Sequence, residues 1–244
     1  MTTMIRVLTY NTHFGRHLKK IIPWLNTESP SDILCFQEFP KHKLDELRAG
    51  LTGAFGCRFS PSLGSTKRRV FGVATLYRKK SIQCIKSFTV PLGVNILEKA
   101  WFRSNVERTC QVCMFRGKKR TFMVANTHLV CSAPNSHRYR QVEKIISVLL
   151  QYKKPSVICG DFNVLHILGK KKLIRLMKKH SFSTDLRKMA TFRFAGLRFQ
   201  VDYVFWNGMN DMSLDVIKVR FSDHFPIRFV LKDADMKIRR RKDA

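Results

Sequence analysis

The sequence predicts an α/β (α+β) domain built on two sheets, and three observations predict it. At 244 residues with 44% apolar content, the chain fills one large core or two small ones. Short β-like runs recur along its whole length, too many for one small sheet. Between them lie segments whose apolar residues recur at helical spacing.

The elements follow in chain order. Strands are expected at 4–10 (MIRVLTY), 32–37, 72–78, 81–90, 109–116, 120–127, 156–160, 190–194, 201–206, 215–221 and 225–231. The clearest helix is 136–152, where Val142, Ile145, Ile146, Leu149 and Leu150 form one stripe and Arg138, Arg140 and Lys144 fall elsewhere. A second, near 170–180, places Leu173, Leu176 and Met177 inside and lysines outside; weaker helices fit 17–26, despite Pro23, and 42–51. Neither a repeat nor a Gly/Ser linker divides the chain, so residues 1–232 read as one domain, followed by a basic tail, 233–244, expected to be disordered.

Lys and Arg number 46 against 17 Asp and Glu, a formal net charge of +29. Polyanions are the partners this charge selects, nucleic acid first and an anionic membrane surface second. The seven cysteines are scattered through strand-like runs, as in a reduced intracellular chain. Cys110 and Cys113 have zinc-finger spacing, but no second Cys/His pair follows, and strand alternation turns them to opposite faces, which argues against zinc. The N-terminal stretch lacks a signal peptide's basic start and long apolar segment, and no run is long enough to span a bilayer. A cytoplasmic monomer without stable membrane association is expected.

The functional signal lies where strands end. The first ends at Asn11, in "TYNTHFG", and the second at Glu38, in "CFQEF". The strand near 120–127 runs into Asn126 and His128, in "VANTHL", and "VICGDFN" ends at Asp161 and Asn163. Asp202 stands in "VDYVF", and Asp223 and His224 in "FSDHFPI". A lone Asp or Asn after a strand is a turn residue. Turns, however, require neither a glutamate after a strand nor repeated histidines, so the set reads as one shared site.

Carboxylates and carboxamides are hard oxygen ligands, suited to Mg²⁺ or Mn²⁺, ions that keep waters and bind phosphate oxygen. Histidines nearby exchange protons or donate hydrogen bonds to a charged oxygen. Such a set is equipped to hydrolyse phosphate esters.

The ordered series NTH, QE, NTH, GDFN, DY and SDH, from about Met4 to Leu231, resembles the endonuclease/exonuclease/phosphatase superfamily. Its members include DNase I, abasic-site endonucleases, tyrosyl-DNA phosphodiesterases, sphingomyelinases and inositol polyphosphate phosphatases. The resemblance implies a DNase I-like, four-layer sandwich of two mixed β-sheets flanked by helices. It also implies Glu38 as principal metal ligand with Asn11 beside it, and Asp223 near that metal or a second one. Asp161 would orient and deprotonate the attacking water, and Asn163 would hold the phosphate or that water. His224, oriented by Asp202, and His128 would contact the scissile phosphate. Whether His224 or Asp161 is the base stays open at this level. His13 departs from the pattern, because several relatives carry an acidic residue near that point.

Substrate contacts are sought in the basic runs Lys67–Arg69, Lys118–Arg120, Lys170–Lys172 and Lys178–Lys179, in Trp101 and Arg103 of the 91–107 loop, and in Arg138 and Arg140 beside His128. The aromatics of 192–200 read as strand residues or as a base-stacking surface. Together these point to a Mg²⁺-dependent nuclease or repair phosphodiesterase, with DNA preferred over RNA. The alternative is a phosphoesterase for phospholipid headgroups or inositol phosphates, against which stands the lack of a recognisable lipid-docking apolar hairpin.

Overall fold

The computed structural model describes residues 4–232 apart from 67–68, 94–97, 99, 101–106, 119, 186, 188 and 211. Trp101, Arg103 and the tail 233–244 therefore lie outside the described residues. Strands β1 (Met4–Asn11), β2 (Ile33–Pro40), β3 (Phe55–Thr66), β4 (Arg69–Arg78), β12 (Leu214–Val216) and β13 (Ile227–Lys232) form a six-stranded sheet in the order β12-β13-β1-β2-β4-β3. A five-stranded sheet, ordered β11-β8-β7-β6-β5, combines β5 (Gln83–Pro91), β6 (Thr109–Arg116), β7 (Thr121–His128), β8 (Ser156–Asp161) and β11 (Asp202–Asn207). A small hairpin, β9 (Phe192–Phe194) with β10 (Leu197–Phe199), stands apart from both.

Both large sheets are mixed, and each contains one parallel pair, β1/β2 or β7/β8. Parallel neighbours require a crossover, and helices α1 (Leu18–Thr27) and α3 (Asn135–Gln151) supply the two. The shorter α2 (Leu44–Gly50) follows a 3₁₀ turn, and α4 (Ile167–Lys179) follows β8.

Strand alternation sorts the apolar residues into layers. Ile5, Val7, Ile33 and Cys35 of one sheet meet Val124, Val157, Cys159 and Val204 of the other in the central core. On the outer face of the larger sheet, Leu8, Leu34 and Phe36 pack under Ile21, Trp24 and Leu47 of α1 and α2. On the outer face of the smaller, Met123, Ile158 and Phe205 pack under Val142, Ile146 and Leu173 of α3 and α4. The order helix, sheet, sheet, helix is the expected four-layer sandwich. Cys110 faces the helix layer and Cys113 the central core, on opposite sides as alternation requires. All seven cysteines are free.

The expected helices form with small shifts at their ends. Pro23 is accommodated inside α1, with Ile21, Trp24 and Leu25 buried around it. Two strands escaped the sequence pattern. β3, "FGCRFSPSLGST", is rich in Gly, Pro and Ser, but it is an edge strand whose pairing with β4 slips at Pro61, where a missing N–H costs no ladder bond. β10 is only three residues long. Conversely, the run expected at 215–221 forms only the short β12. Among the described residues no helix is long and apolar enough to cross a membrane.

Candidate active site

The two parallel pairs run in the same sense within each sheet, so their carboxyl ends deliver Asn11, Glu38, His128 and Asp161 to one edge of the sandwich. Register builds the smaller sheet's share: His128 pairs with Asp161, and Asp161 with Asp202, in one row across β7, β8 and β11. Period-2 alternation puts this row on the face that, lower down, carries Val124, Val157, Cys159 and Val204. The site is thus the polar end of the central core.

A buried polar floor separates the two. Gln37 donates to Asn126 Oδ1 (2.7 Å) and to Thr9 Oγ1 (3.0 Å), while Asn126 donates to the carbonyls of Phe36 (3.2 Å) and Ala74 (3.0 Å). Asn126, grouped with the strand-end set by its sequence position, is therefore a clamp between sheets. Its amide satisfies carbonyls that burial would otherwise leave unpaired.

Glu38 reaches the site by breaking alternation. The pairing of β2 with β4 slips between Phe36 and Phe39, and Glu38 adopts φ +52°, a left-handed conformation costly for a glutamate. The bulge turns its carboxylate so that Oε1 lies 3.8 Å from His128 Nε2. Asn163, at φ +55°, folds back similarly: its N–H donates to Asp161 Oδ1 (2.9 Å) and its amide to the Leu129 carbonyl (3.0 Å). Gly160, preceding Asp161, has φ +136°, and a Cβ there would lie 2.0 Å from the Thr127 carbonyl oxygen, so only glycine fits.

Asp161 is the hub, 2% exposed. Its Oδ2 accepts from Asn11 Nδ2 at 3.1 Å and lies 3.5 Å from His128 Nε2 and 3.7 Å from His224 Nε2. Burial raises its pKa to about 7 against the lowering pull of His224. Burial also disfavours charge on His224, but Asp202, bonded to its Nδ1 at 2.8 Å, outweighs this, and with Asp161 and Asp223 raises its pKa to about 10. Asp161, Asp202 and His224 all offer donor atoms within 4.8 Å of one another, yet the Asp202–His224 bond already occupies one ring nitrogen and one carboxylate oxygen.

Asp223 sits at the rim. Burial favours its neutral form, but the hydrogen bond from His13 and the charges of His224 and His13 prevail and lower its pKa to about 2. The His13 Nδ1–Asp223 Oδ1 distance is 2.9 Å, so the departure noted at position 13 pairs with one of the expected metal ligands. Ser222 locks this loop to the end of β1: its hydroxyl lies 2.9 Å from the Asn11 carbonyl and 3.0 Å from Asp223 Oδ1, and accepts from the His224 N–H at 3.2 Å.

A second tier escaped sequence reading. Arg108 is buried behind His128, with Nη1 3.0 Å from its Nδ1, and is held by Glu98, whose Oε2 accepts from Arg108 Nε at 2.9 Å. Burial, Arg108 and His224 together push the His128 pKa well below its ordinary value. The available signal was a charged residue, in "ERTCQV", directly before a strand that proved almost wholly buried, where a cation requires a partner.

Arg138, expected to meet a phosphate, is 7% exposed and spends its guanidinium on the chain itself. Nε donates to the Val130 carbonyl (2.8 Å), Nη1 to Asn135 Oδ1 (2.8 Å) and Nη2 to the Cys131 carbonyl. It braces the loop after His128 with three of its five N–H donors. The 192–200 segment is the β9/β10 hairpin; Phe192 lies 4.7 Å from the His224 ring, and Phe194 and Leu197 are exposed at 67% and 61%. An apolar hairpin tip, not recognised in the sequence, is therefore present.

Comparison with known structures identifies the same architecture. An endonuclease/exonuclease/phosphatase from Bacteroides vulgatus superimposes with a TM-score of 0.74 at 19% identity, covering 94% of this chain and 98% of that one. The human Nocturnin catalytic domain with bound sulfate anion gives 0.71 at 16% identity, covering 95% and 97%. ANGEL2, a 2',3'-cyclic phosphatase, gives 0.69 at 13% identity, covering 95% of each. No curated protein matches the sequence. These identities carry the fold alone, whereas the family model matches residues 8–224, nearly the whole described chain. The chain therefore belongs to the Endonuclease/Exonuclease/phosphatase family, whose members are phosphoester hydrolases that generally use a divalent metal ion.

Proposed function

We propose that this protein is a Mg²⁺-dependent phosphodiesterase acting on nucleic acid, with Mn²⁺ as a substitute ion. The observation that carries the reading is Asp161, buried between two histidines at 3.5 and 3.7 Å, beside Glu38 and at the mouth of the sandwich.

The donor set fits a hard cation. Glu38 is 17% exposed, and burial raises its pKa; its nearest basic partner among the described residues is His128 Nε2, at 3.8 Å. Such a mostly buried carboxylate is one that a bound cation would compensate. Glu38 would be the principal ligand, with Asn11 and Asp223 contributing oxygen. The ion, when bound, supplies neutralisation of charge on the phosphate and its leaving oxygen.

The remaining roles belong to the chain. Asp161 orients a water for in-line attack and, with a pKa near 7, exchanges a proton at neutral pH. His224, cationic and fixed by Asp202, donates from Nε2 to a phosphate oxygen as negative charge builds there. His128 donates from Nε2, and Asn163 steadies the Asp161 carboxylate through its N–H. Nucleic acid is favoured as substrate by the net charge of +29.

A second reading, hydrolysis of phospholipid headgroup esters, draws on one observation, the exposed Phe194 and Leu197 at the hairpin tip. End-labelled duplex DNA, abasic duplex, single-stranded DNA and RNA, each with Mg²⁺ or EDTA, separate the two. Mg²⁺-dependent cleavage lost in Glu38→Gln and Asp161→Asn is expected. Four intact nucleic acids together with hydrolysis of a lipid headgroup ester would overturn the nucleic-acid reading.

A further inference from the structure

Beside the Asp223 rim, two cavities of about 270 and 140 Å³ share the walls formed by Arg193 and Arg220. The inner one reaches His13, Ser222 and Asp223, and the outer one runs under the β9/β10 hairpin to Arg198 and Lys218. Along this cleft stand Arg16, His17, Arg193, Arg198, Lys218 and Arg220, and its one carboxylate among the described residues, Asp223, is already bonded to His13 at 2.9 Å.

The hairpin shows that this charge is arranged and not merely abundant. Its strands join through Ala195 and Gly196, both at positive φ, and its register sets Arg193 directly opposite Arg198. Like charges directly opposite across two strands are destabilising, because the side chains meet on the same face. A hairpin that needed only to fold would not place them so. The neighbouring pairs, Phe192 with Phe199 and Phe194 with Leu197, alternate to the other face, where Phe192 lies against His224. The hairpin is therefore two-faced, with Phe192 against His224 on one face and the arginines lining the cleft on the other.

Arg193 is anchored for the task. Its Nη2 donates to the Ser222 carbonyl at 3.3 Å, its guanidinium lies 5.1 Å from the Phe225 ring centre, and its backbone N–H donates to the Asp223 carbonyl at 2.8 Å. Its Nε is buried without a hydrogen-bond partner. An anion in the cleft would relieve the repulsion between the Arg193 and Arg198 side chains.

We infer that the cleft formed by Arg16, Arg193, Arg198, Lys218 and Arg220 is a second phosphate-binding tract, taking the backbone of a nucleic-acid strand beyond its scissile phosphate. The inference rests on the nucleic-acid reading of the site. Two linked cavities in series suit successive phosphates along a strand, which enter at the Asp223 rim and leave past Lys218.

The test uses Arg198→Gln/Lys218→Gln/Arg220→Gln, three exposed positions, none of them a catalytic group or proposed metal ligand. Fluorescence anisotropy with a labelled twelve-nucleotide single strand, in EDTA so that nothing is cleaved, is measured across a salt series. Each phosphate contact on a single strand contributes about 0.7 to the logarithmic salt slope. The variant should lose about 2 from that slope and bind at least tenfold more weakly near 0.1 M salt. It should melt no lower than the wild type, since like charges have been removed, and hydrolyse bis(p-nitrophenyl) phosphate, which has no second phosphate, at an unchanged rate. An unaltered salt slope and affinity would overturn the tract while leaving Mg²⁺-dependent cleavage standing. Weakened strand binding by the variant, with no nucleic acid cleaved by the wild type, would support the tract and sink the proposed activity instead. Absent strand binding, with phosphatidylserine-vesicle binding lost in the variant, would overturn the tract in favour of a lipid surface.

Discussion

Arg108 Nη1 lies 3.0 Å from His128 Nδ1, and that contact settles which nitrogen of His128 carries hydrogen. Arginine only donates, so Nδ1 accepts and Nε2, facing Asp161 and Glu38, holds the proton. Burial and the Arg108 charge keep the ring neutral. His128 is thereby a fixed neutral donor, unlike His224, whose Asp202 partner keeps it cationic.

Arg108→Met removes the cation bonded to buried Glu98, whose carboxylate keeps the Cys131 N–H at 2.9 Å, and should cost about 3–5 kcal/mol of stability. Glu98→Leu/Arg108→Met should recover most of that loss, because no buried charge then remains without its counter-charge. Turnover in the double variant should stay at least tenfold low, and ¹⁵N imidazole spectra should show His128 in mixed tautomers. A recovered protein with wild-type turnover and a pure Nε2–H signal would contradict the positioning role.

Asp202→Asn removes the charge that outweighs burial at His224. The His224 pKa should fall, and turnover at pH 8 should drop about 10²-fold or more. Residual activity should be greatest at lower pH, where the ring still protonates; a pH–rate profile checks this.

The Asp161 pKa, about 7 when folded, lies above its unfolded value of 3.8. Protonated Asp161 is thus favoured by folding, a contribution fully present below pH 3.8 and lost as pH rises through 7. His224, raised from 6.5 to about 10, loses its own contribution between those limits. In EDTA, Asp161→Asn should melt close to the wild type near pH 4 and progressively above it by pH 8. Turnover in this variant should fall at least 10³-fold. A melting difference independent of pH would count against the assignment.

Gly160→Ala is expected to be among the most damaging single-methyl changes in the chain. Its Cβ would stand 2.0 Å from the Thr127 carbonyl, in a backbone conformation alanine avoids, so β7 and β8 must part where His128 pairs with Asp161. A loss of about 3 kcal/mol or more by urea unfolding is expected.

Much of this could be read from the chain. The alternation in "MIRVLTY" and "VICGD", and the stripes of α3 and α4, are local consequences of burial on a face, so the elements and the layered fold were legible. So were Asn11, Glu38, His128, Asp161, Asn163, Asp202 and His224, because short polar residues recur where apolar strands stop. β3 was not legible, since an edge strand tolerates the Gly, Pro and Ser that elsewhere mark loops.

Contacts between distant segments lay beyond local pattern. Asn126 and His128 occupy the same face of β7 two residues apart, yet one clamps the sheets and the other enters the site, a difference set by how closely the second sheet approaches. Glu38 faces the site only because a bulge against β4 reverses its direction. Arg138 and Arg193 are both arginines near aromatic and polar neighbours; the carbonyls of residues 130 and 131 consume one, while the hairpin register leaves the other facing a cleft. By itself the sequence determined the elements, their layering and the chemical inventory of the site, because these depend on burial and spacing along the chain. Only the tertiary structure decided which polar group is spent on holding the fold and which is left to act, because hydrogen-bond partners are allotted by distance in space.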